Sequence, residues 1–292
     1  MIRRFLLPLL TLLLLLGACG EDADSTAADA TVPAETPELR IISLSPSATE
    51  IIFAVGAGPM VVAVDEFSYY PPEAPVTELS GYTPNVEAIL SYEPDVVVWQ
   101  GGPDDVRASL DAAGVQIVDQ FAATTFDDIY AQMLEIGELA GTTDEAEAAV
   151  AEMRADLDAL VSSVQPRDEP VTYFHELGTE LYTATSTTFI GQVYGLLGLE
   201  NIADAADPDG EFFGYPQLSE EFILDADPDI IFLADTIGYG QTAQTVAERP
   251  GWDALSAVRA GNVIELDDDV ASRWGPRVVD FVRAVVDAVN AL

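Results

Sequence analysis

The chain has no lysine, a single cysteine (Cys19) and a single histidine (His175), and its 11 basic residues, all arginine, face 51 acids, for a formal net charge of −40 over 292 residues. Each scarcity excludes a class of function. A polyanion repels nucleic acid, whose binding depends on Lys and Arg displacing phosphate counterions. One cysteine permits neither an internal disulfide framework nor a cysteine-rich zinc or iron–sulfur site. One histidine rules out three-histidine metal clusters and leaves little imidazole for acid–base catalysis. No Gly-x-Ser-x-Gly elbow, phosphate loop or dinucleotide glycine fingerprint occurs. What is abundant is apolar surface: 49% of residues are hydrophobic, so the charge sits outside a core large enough for one large or two medium domains.

Arg3-Arg4 precede an apolar run from Phe5 to Leu16, which is shorter than the roughly 20 residues a membrane-spanning helix needs. It reads as the apolar region of a secretory signal spanning 1–18. Leu16-Gly17-Ala18-Cys19 resembles a lipobox, where bacterial-type lipoproteins are cleaved and the new N-terminal cysteine is lipidated; an ordinary signal peptide with a chance cysteine is the alternative. Phe5 follows Arg4 without the residue usual in twin-arginine signals, which leaves the export route open. Residues 19–38, rich in Ala, Asp, Glu, Thr and Pro, read as a disordered, solvated tether.

From Arg40 onward, short β-rich runs at Ile41–Leu44, Val61–Val64, Val96–Trp99 and Val115–Val118 alternate with segments of helical period, the pattern of an α/β unit with a mostly parallel sheet. Ser47-Ala48-Thr49-Glu50 has the form of a helix capping box. A segment from Thr142 to about Gln165 contains no Gly or Pro. Its apolar stripe of Ala146, Val150, Met153, Leu157, Leu160, Val161 and Val164 predicts one helix on the order of 30 Å long, able to cross between two lobes. Strand-like runs resume at Val171–Phe174, Ile230–Leu233 and Val263–Leu266. The segment Asn85 to Asp95 aligns with Ser219 to Asp229, with Glu87 over Glu221 and shared Ile, Leu, Pro and Asp, a weak repeat that makes the two glutamates equivalent points on related lobes. The expected architecture is therefore an N-terminal lobe (39–141), a linking helix (142–166) and a C-terminal lobe (167–292).

A two-lobed α/β chain with one long connecting helix resembles the substrate-binding proteins of ABC importers. Arg40-Ile41-Ile42-Ser43-Leu44-Ser45-Pro46-Ser47-Ala48-Thr49-Glu50, Tyr70-Pro71-Pro72-Glu73-Ala74, the Glu87-to-Asp95 segment, Ser219 to Asp229 and Ser272-Arg273-Trp274-Gly275-Pro276-Arg277 look like the family that captures cobalamin and ferric siderophores. Trp99-Gln100-Gly101-Gly102, Leu181-Tyr182-Thr183-Ala184 and Tyr215-Pro216-Gln217-Leu218-Ser219 are most similar to its cobalamin receptors, although Tyr215 and Phe67 replace a Trp and a Tyr of that pattern. The resemblance implies two Rossmann-like lobes with a ligand cleft between them, and an exported, lipid-anchored, monomeric receptor with no cofactor and no catalytic residue. It implies a cobalamin or other corrinoid as ligand, with a ferric siderophore or haem as the alternative. Phe67, Tyr82, Trp99, Tyr182, Tyr215, Asp269 and Arg273 become the expected ligand contacts, Glu87 and Glu221 the contacts to an ABC permease dimer, and Cys19 the lipid attachment.

A corrin is an apolar disc with an amide fringe, and its receptor needs aromatic walls with a few polar groups. Phe67, Tyr69, Tyr70, Tyr82, Trp99, Tyr182, Phe212, Phe213, Tyr215 and Trp274 lie in loops or just after strands, where open α/β sheets form ligand crevices. An anionic siderophore would call instead on Arg273 and Arg277. The competing class is an extracytoplasmic enzyme using His175, at a predicted strand end. Asp267-Asp268-Asp269 lacks the alternating spacing of a calcium loop.

Overall fold

A computed structural model describes residues 39–292; the expected signal, Cys19 and tether lie outside the described residues. The first sheet comprises β1 (Ile41–Leu44), β2 (Val61–Asp65), β3 (Val76–Leu79), β4 (Val96–Trp99) and β5 (Gln116–Asp119), all parallel, in the order β3-β2-β1-β4-β5. The second comprises β6 (Thr172–Glu176), β7 (Glu200–Asn201), β8 (Ile230–Leu233) and β9 (Val263–Glu265), again parallel, in the order β7-β6-β8-β9. The central strands β1, β4 and β8 are buried on both faces, which is why they read as unbroken apolar runs.

The helices of the first lobe are α1 (Pro46–Ala54), α2 (Val86–Leu90), α3 (Asp104–Ala112) and α4 (Phe126–Ala140). α5 (Thr143–Ser163) is the expected long helix, ending before Pro166. The second lobe adds α6 (Phe189–Leu196), α7 (Glu220–Ala226), α8 (Ala243–Ala247), α9 (Ser256–Ala260), α10 (Asp268–Ser272) and α11 (Val278–Asn290). None of the described helices is long and apolar enough to cross a membrane.

The capping box expected at Ser47 is not formed. Pro46 occupies the first helical position of α1, as its fixed φ favours, and the cap moves to Ser45, whose Oγ accepts the Ala48 N–H at 3.4 Å. Glu50 is thereby freed from capping and turns into the protein.

The internal repeat is a structural one. Asn85 and Ser219 cap α2 and α7, Ile89 and Ile223 are fully buried, and Glu93 and Asp227 both adopt the left-handed conformation, with φ of 50° and 42°. The following aspartates, Asp95 and Asp229, each accept at 2.9 Å a backbone N–H just before or at the start of the neighbouring strand, that of Arg40 before β1 and that of Thr172 in β6.

α5 packs on α4 in one lobe and on α11 in the other. Its stripe of Ala146, Val150, Met153, Leu157 and Leu160 is buried in a single apolar core that includes Ile41 and Val98 of the first lobe and Tyr173, Phe232 and Phe281 of the second. The α4–α5 crossing depends on Gly137, because a Cβ there would stand 2.3 Å from that of Ala146. Gly137→Ala should therefore cost about 1–3 kcal/mol through overpacking. Gly195→Ala, in α6 with open space around it, should be neutral or slightly stabilising. Urea denaturation of the two variants checks this contrast, and equal effects contradict the packing account.

Candidate functional site

In both sheets the chain reverses its direction of strand addition next to the first strand, between β1 and β4 in one lobe and between β6 and β8 in the other. Carboxyl ends at such switch points diverge and leave a crevice. In the first lobe the crevice is a hollow of about 260 Å³. Leu44, Ser45 and Pro46 follow β1, Gln100 and Gly101 follow β4, and Asp65, Phe67, Gly81 and Tyr82 come from the ends of β2 and β3. Larger hollows lie at the opposite, amino-terminal ends of the second sheet, around Pro166–Val171, and are lined by no aromatic residue.

Most of the aromatics expected in the loops are exposed, but Trp274 is not: it is half-buried, its ring 4.8 Å from that of Phe189. Phe67, Tyr69, Tyr70, Tyr82, Tyr182, Phe212, Phe213 and Tyr215 are all exposed, Tyr82 and Phe213 by more than four-fifths. Phe67 and Tyr82 meet edge-to-face, with centroids 6.0 Å apart. On the second lobe the segment at Tyr182 pairs antiparallel with that at Gln217, which brings Tyr182 and Tyr215 to one side of the β6 end.

Three expected contacts need correction. Trp99 does not line the cleft: as the last residue of a doubly covered strand it is 1% exposed, its Nε1–H donates to Asp119 at 2.6 Å, and Gly102 packs on its ring. The Gln100-Gly101 pair beyond it reaches the hollow instead. Asp269 and Arg273 do pair, at 2.9 Å, but against the first lobe and not at an open edge. Arg273 is 7% exposed; it meets Glu50 at 3.5 Å, donates to the Phe67 carbonyl at 3.1 Å and lies over the Tyr69 ring, whose hydroxyl donates to Asp269. Arg277 makes a two-pronged pair with Glu50, at 3.0 and 2.6 Å, and covers the Tyr70 ring. Glu50 was visible in the sequence only as a capping residue; its place as the one charge in the apolar run Ala48–Val55 was the available signal.

His175 is fully enclosed, with Nδ1 on the Tyr194 hydroxyl at 2.7 Å, and burial pushes its pKa down to about 3. A ring with no exposed surface meets no substrate, which removes the enzyme reading built on it. Asp267 caps α10 and Asp268 accepts the N–H groups of Thr236, Ile237 and Gly238, so the acidic triplet is the capped first turn of a helix. Among the described residues no His, Cys, Asp or Glu group is arranged to hold a metal. Glu87 and Glu221 are both exposed, at the second position of α2 and α7, and neither joins an ion pair among the described residues.

At the second switch point, Glu176 is fully buried and takes both arms of Arg249 at 2.7 and 2.6 Å. Asp235, 1% exposed at the end of β8, has neither carboxyl oxygen hydrogen-bonded among the described residues. Burial, and then the Glu176 carboxylate, push its pKa up to about 7. The folded protein therefore keeps this proton to about pH 7, whereas the unfolded chain releases it near pH 4, so the group lowers stability as pH rises between those values. Asp235→Asn should raise the urea midpoint over the parent at pH 8 and not at pH 4; an equal difference at both contradicts the assignment.

The periplasmic binding protein family model matches residues 41–270. A cobalamin-binding protein of Halobacterium salinarum is 34% identical over 92% of this chain and 73% of its own length. The Bacillus subtilis protein called uncharacterized ABC transporter substrate-binding lipoprotein YvrC is 30% identical over 91% of this chain and 84% of its own. The crystal structure of the periplasmic vitamin B12-binding protein BtuF of Vibrio cholerae superposes with a TM-score of 0.70 at 31% identity, covering 86% of this chain and 96% of that one. The family match, these relatives and the two parallel sheets agree: this chain belongs to the periplasmic binding protein family.

Proposed function

We propose that the protein is the substrate-binding component of an ABC importer, and that it captures a corrinoid between its lobes and hands it to the permease. The observation that carries the choice of ligand is the state of the cations. Arg107, Arg249, Arg273 and Arg277, the guanidiniums that reach the carboxyl ends of the strands, are each paired with a carboxylate of the protein: Asp119, Glu176, Asp269 with Glu50, and Glu50. A ferric siderophore or the propionates of haem would need such a cation free. A neutral macrocycle with apolar faces and an amide fringe needs aromatic walls and hydrogen-bonding groups, which Phe67, Tyr82, Tyr182 and Tyr215 offer. The cobalamin and vitamin B12 binders among the relatives support the same ligand.

Export with lipid attachment at Cys19 would hold the receptor at the outer face of the cytoplasmic membrane. Glu87 and Glu221 would each meet arginines on one permease half, their equivalence in the internal repeat matching a two-fold partner. The test is uptake of labelled cyanocobalamin by cells carrying the receptor, beside its binding by the purified protein. Reversing both charges (Glu87→Arg with Glu221→Arg) should abolish uptake and leave binding affinity within about twofold. Unchanged uptake removes the docking assignment, and retention of a ferric siderophore with none of cobalamin overturns the ligand.

A further inference from the structure

The hollow between Phe67 and Tyr82 contains a polar group that the aromatic rim does not explain. Asp65 ends β2 as the one charge after a buried apolar run, and it is 2% exposed while lining the hollow. Its Oδ1 accepts the Phe67 N–H at 3.1 Å. The Ser68 hydroxyl and N–H also approach the carboxylate closely enough to lower its pKa, and Oδ2 packs beside Gly81, where a Cβ would stand 3.0 Å from it and 2.4 Å from the Leu44 carbonyl oxygen. Burial outweighs them and raises the pKa of this carboxyl, as expected of an acid without a cationic partner. A carboxylate carries about four acceptor sites, so at the edge of the hollow Asp65 has capacity for a further donor.

The donor can be specified. At about 260 Å³ the hollow holds fewer than ten water volumes of roughly 30 Å³ each, room for one side arm and not for a macrocycle. Resting on the corrinoid reading above, we propose that this hollow is a subsite for one peripheral carboxamide arm of the ligand, with Asp65 Oδ2 accepting an N–H of that amide. The subsite makes Asp65 a specificity residue: an arm ending in a carboxylate would set two acceptors, and two negative charges, against each other.

The purified full-length protein is titrated at pH 8 with cyanocobalamin and with its monocarboxylic acids, each having a different single amide hydrolysed. One isomer should bind at least about tenfold more weakly than cyanocobalamin, with the others near the parent. Asp65→Asn keeps an oxygen for the Phe67 N–H and turns an N–H donor toward the hollow. It should bring that isomer to within a few-fold of cyanocobalamin, at a thermal midpoint close to the parent's. Equal affinity for all isomers on the unaltered protein overturns the subsite without needing any variant. So does discrimination that persists in folded Asp65→Asn. Retention of haemin with no binding of cyanocobalamin by the unaltered protein overturns the corrinoid reading and the amide assignment together, which separates that failure from a failure of Asp65 alone.

Discussion

Glu50 is the carboxylate on which the two lobes close. It projects from the first helix of one lobe, is 3% exposed, and receives Arg277 and Arg273 from the far end of the other. A buried pair of this kind contributes modestly to net stability, because desolvation offsets the attraction, but removing one partner strands a charge and costs about 3–5 kcal/mol. Its value lies in geometry. The two arginines also cover Tyr69 and Tyr70, and Arg273 bonds the Phe67 carbonyl, so the loop that carries the first-lobe rim is held by the second lobe. Together with the core that runs through α5 and α11, this junction ties the two lobes to each other, the arrangement expected to restrict closure to a small hinge.

The same junction sets the chemistry of the cleft. A chain with 51 acids has few cations to spare, and those that reach the strand ends are spent on the protein's own carboxylates. What remains for a ligand is aromatic surface and hydrogen-bond acceptors, a combination suited to neutral, amide-bearing molecules. The strongly negative field acts in the same direction, since it disfavours the approach of polyanions.

The parts of the fold legible in the sequence are those where one physical rule acts alone. β1, β4 and β8 are read to the residue because a strand covered on both faces must be apolar throughout. β3 and β7 escape such a reading because they are edge strands, one with alternating burial and one of two residues, and leave no apolar run. At the site, the exposed aromatics follow from their loops, while Trp99 does not: a Trp closing a central strand can point to the cleft or to the core, and the Asp119 carboxylate that fixes it inward comes from the next strand. Arg273 illustrates the same limit. Its pairing with Asp269 is local in sequence, but its meeting with Glu50 spans 223 residues, and no spacing rule reports such a contact.

The central claim, that the Glu50 junction fixes the cleft, is tested most directly by the distance between the lobes in solution. Spin labels on Asp111→Cys and Asp225→Cys, exposed helical positions in the two lobes, report it by pulsed dipolar spectroscopy. The account predicts a narrow distribution that shifts by no more than a few ångströms on adding cyanocobalamin, and that broadens when Glu50→Gln is introduced. A wide closure on binding, or a distribution indifferent to Glu50→Gln, would contradict it.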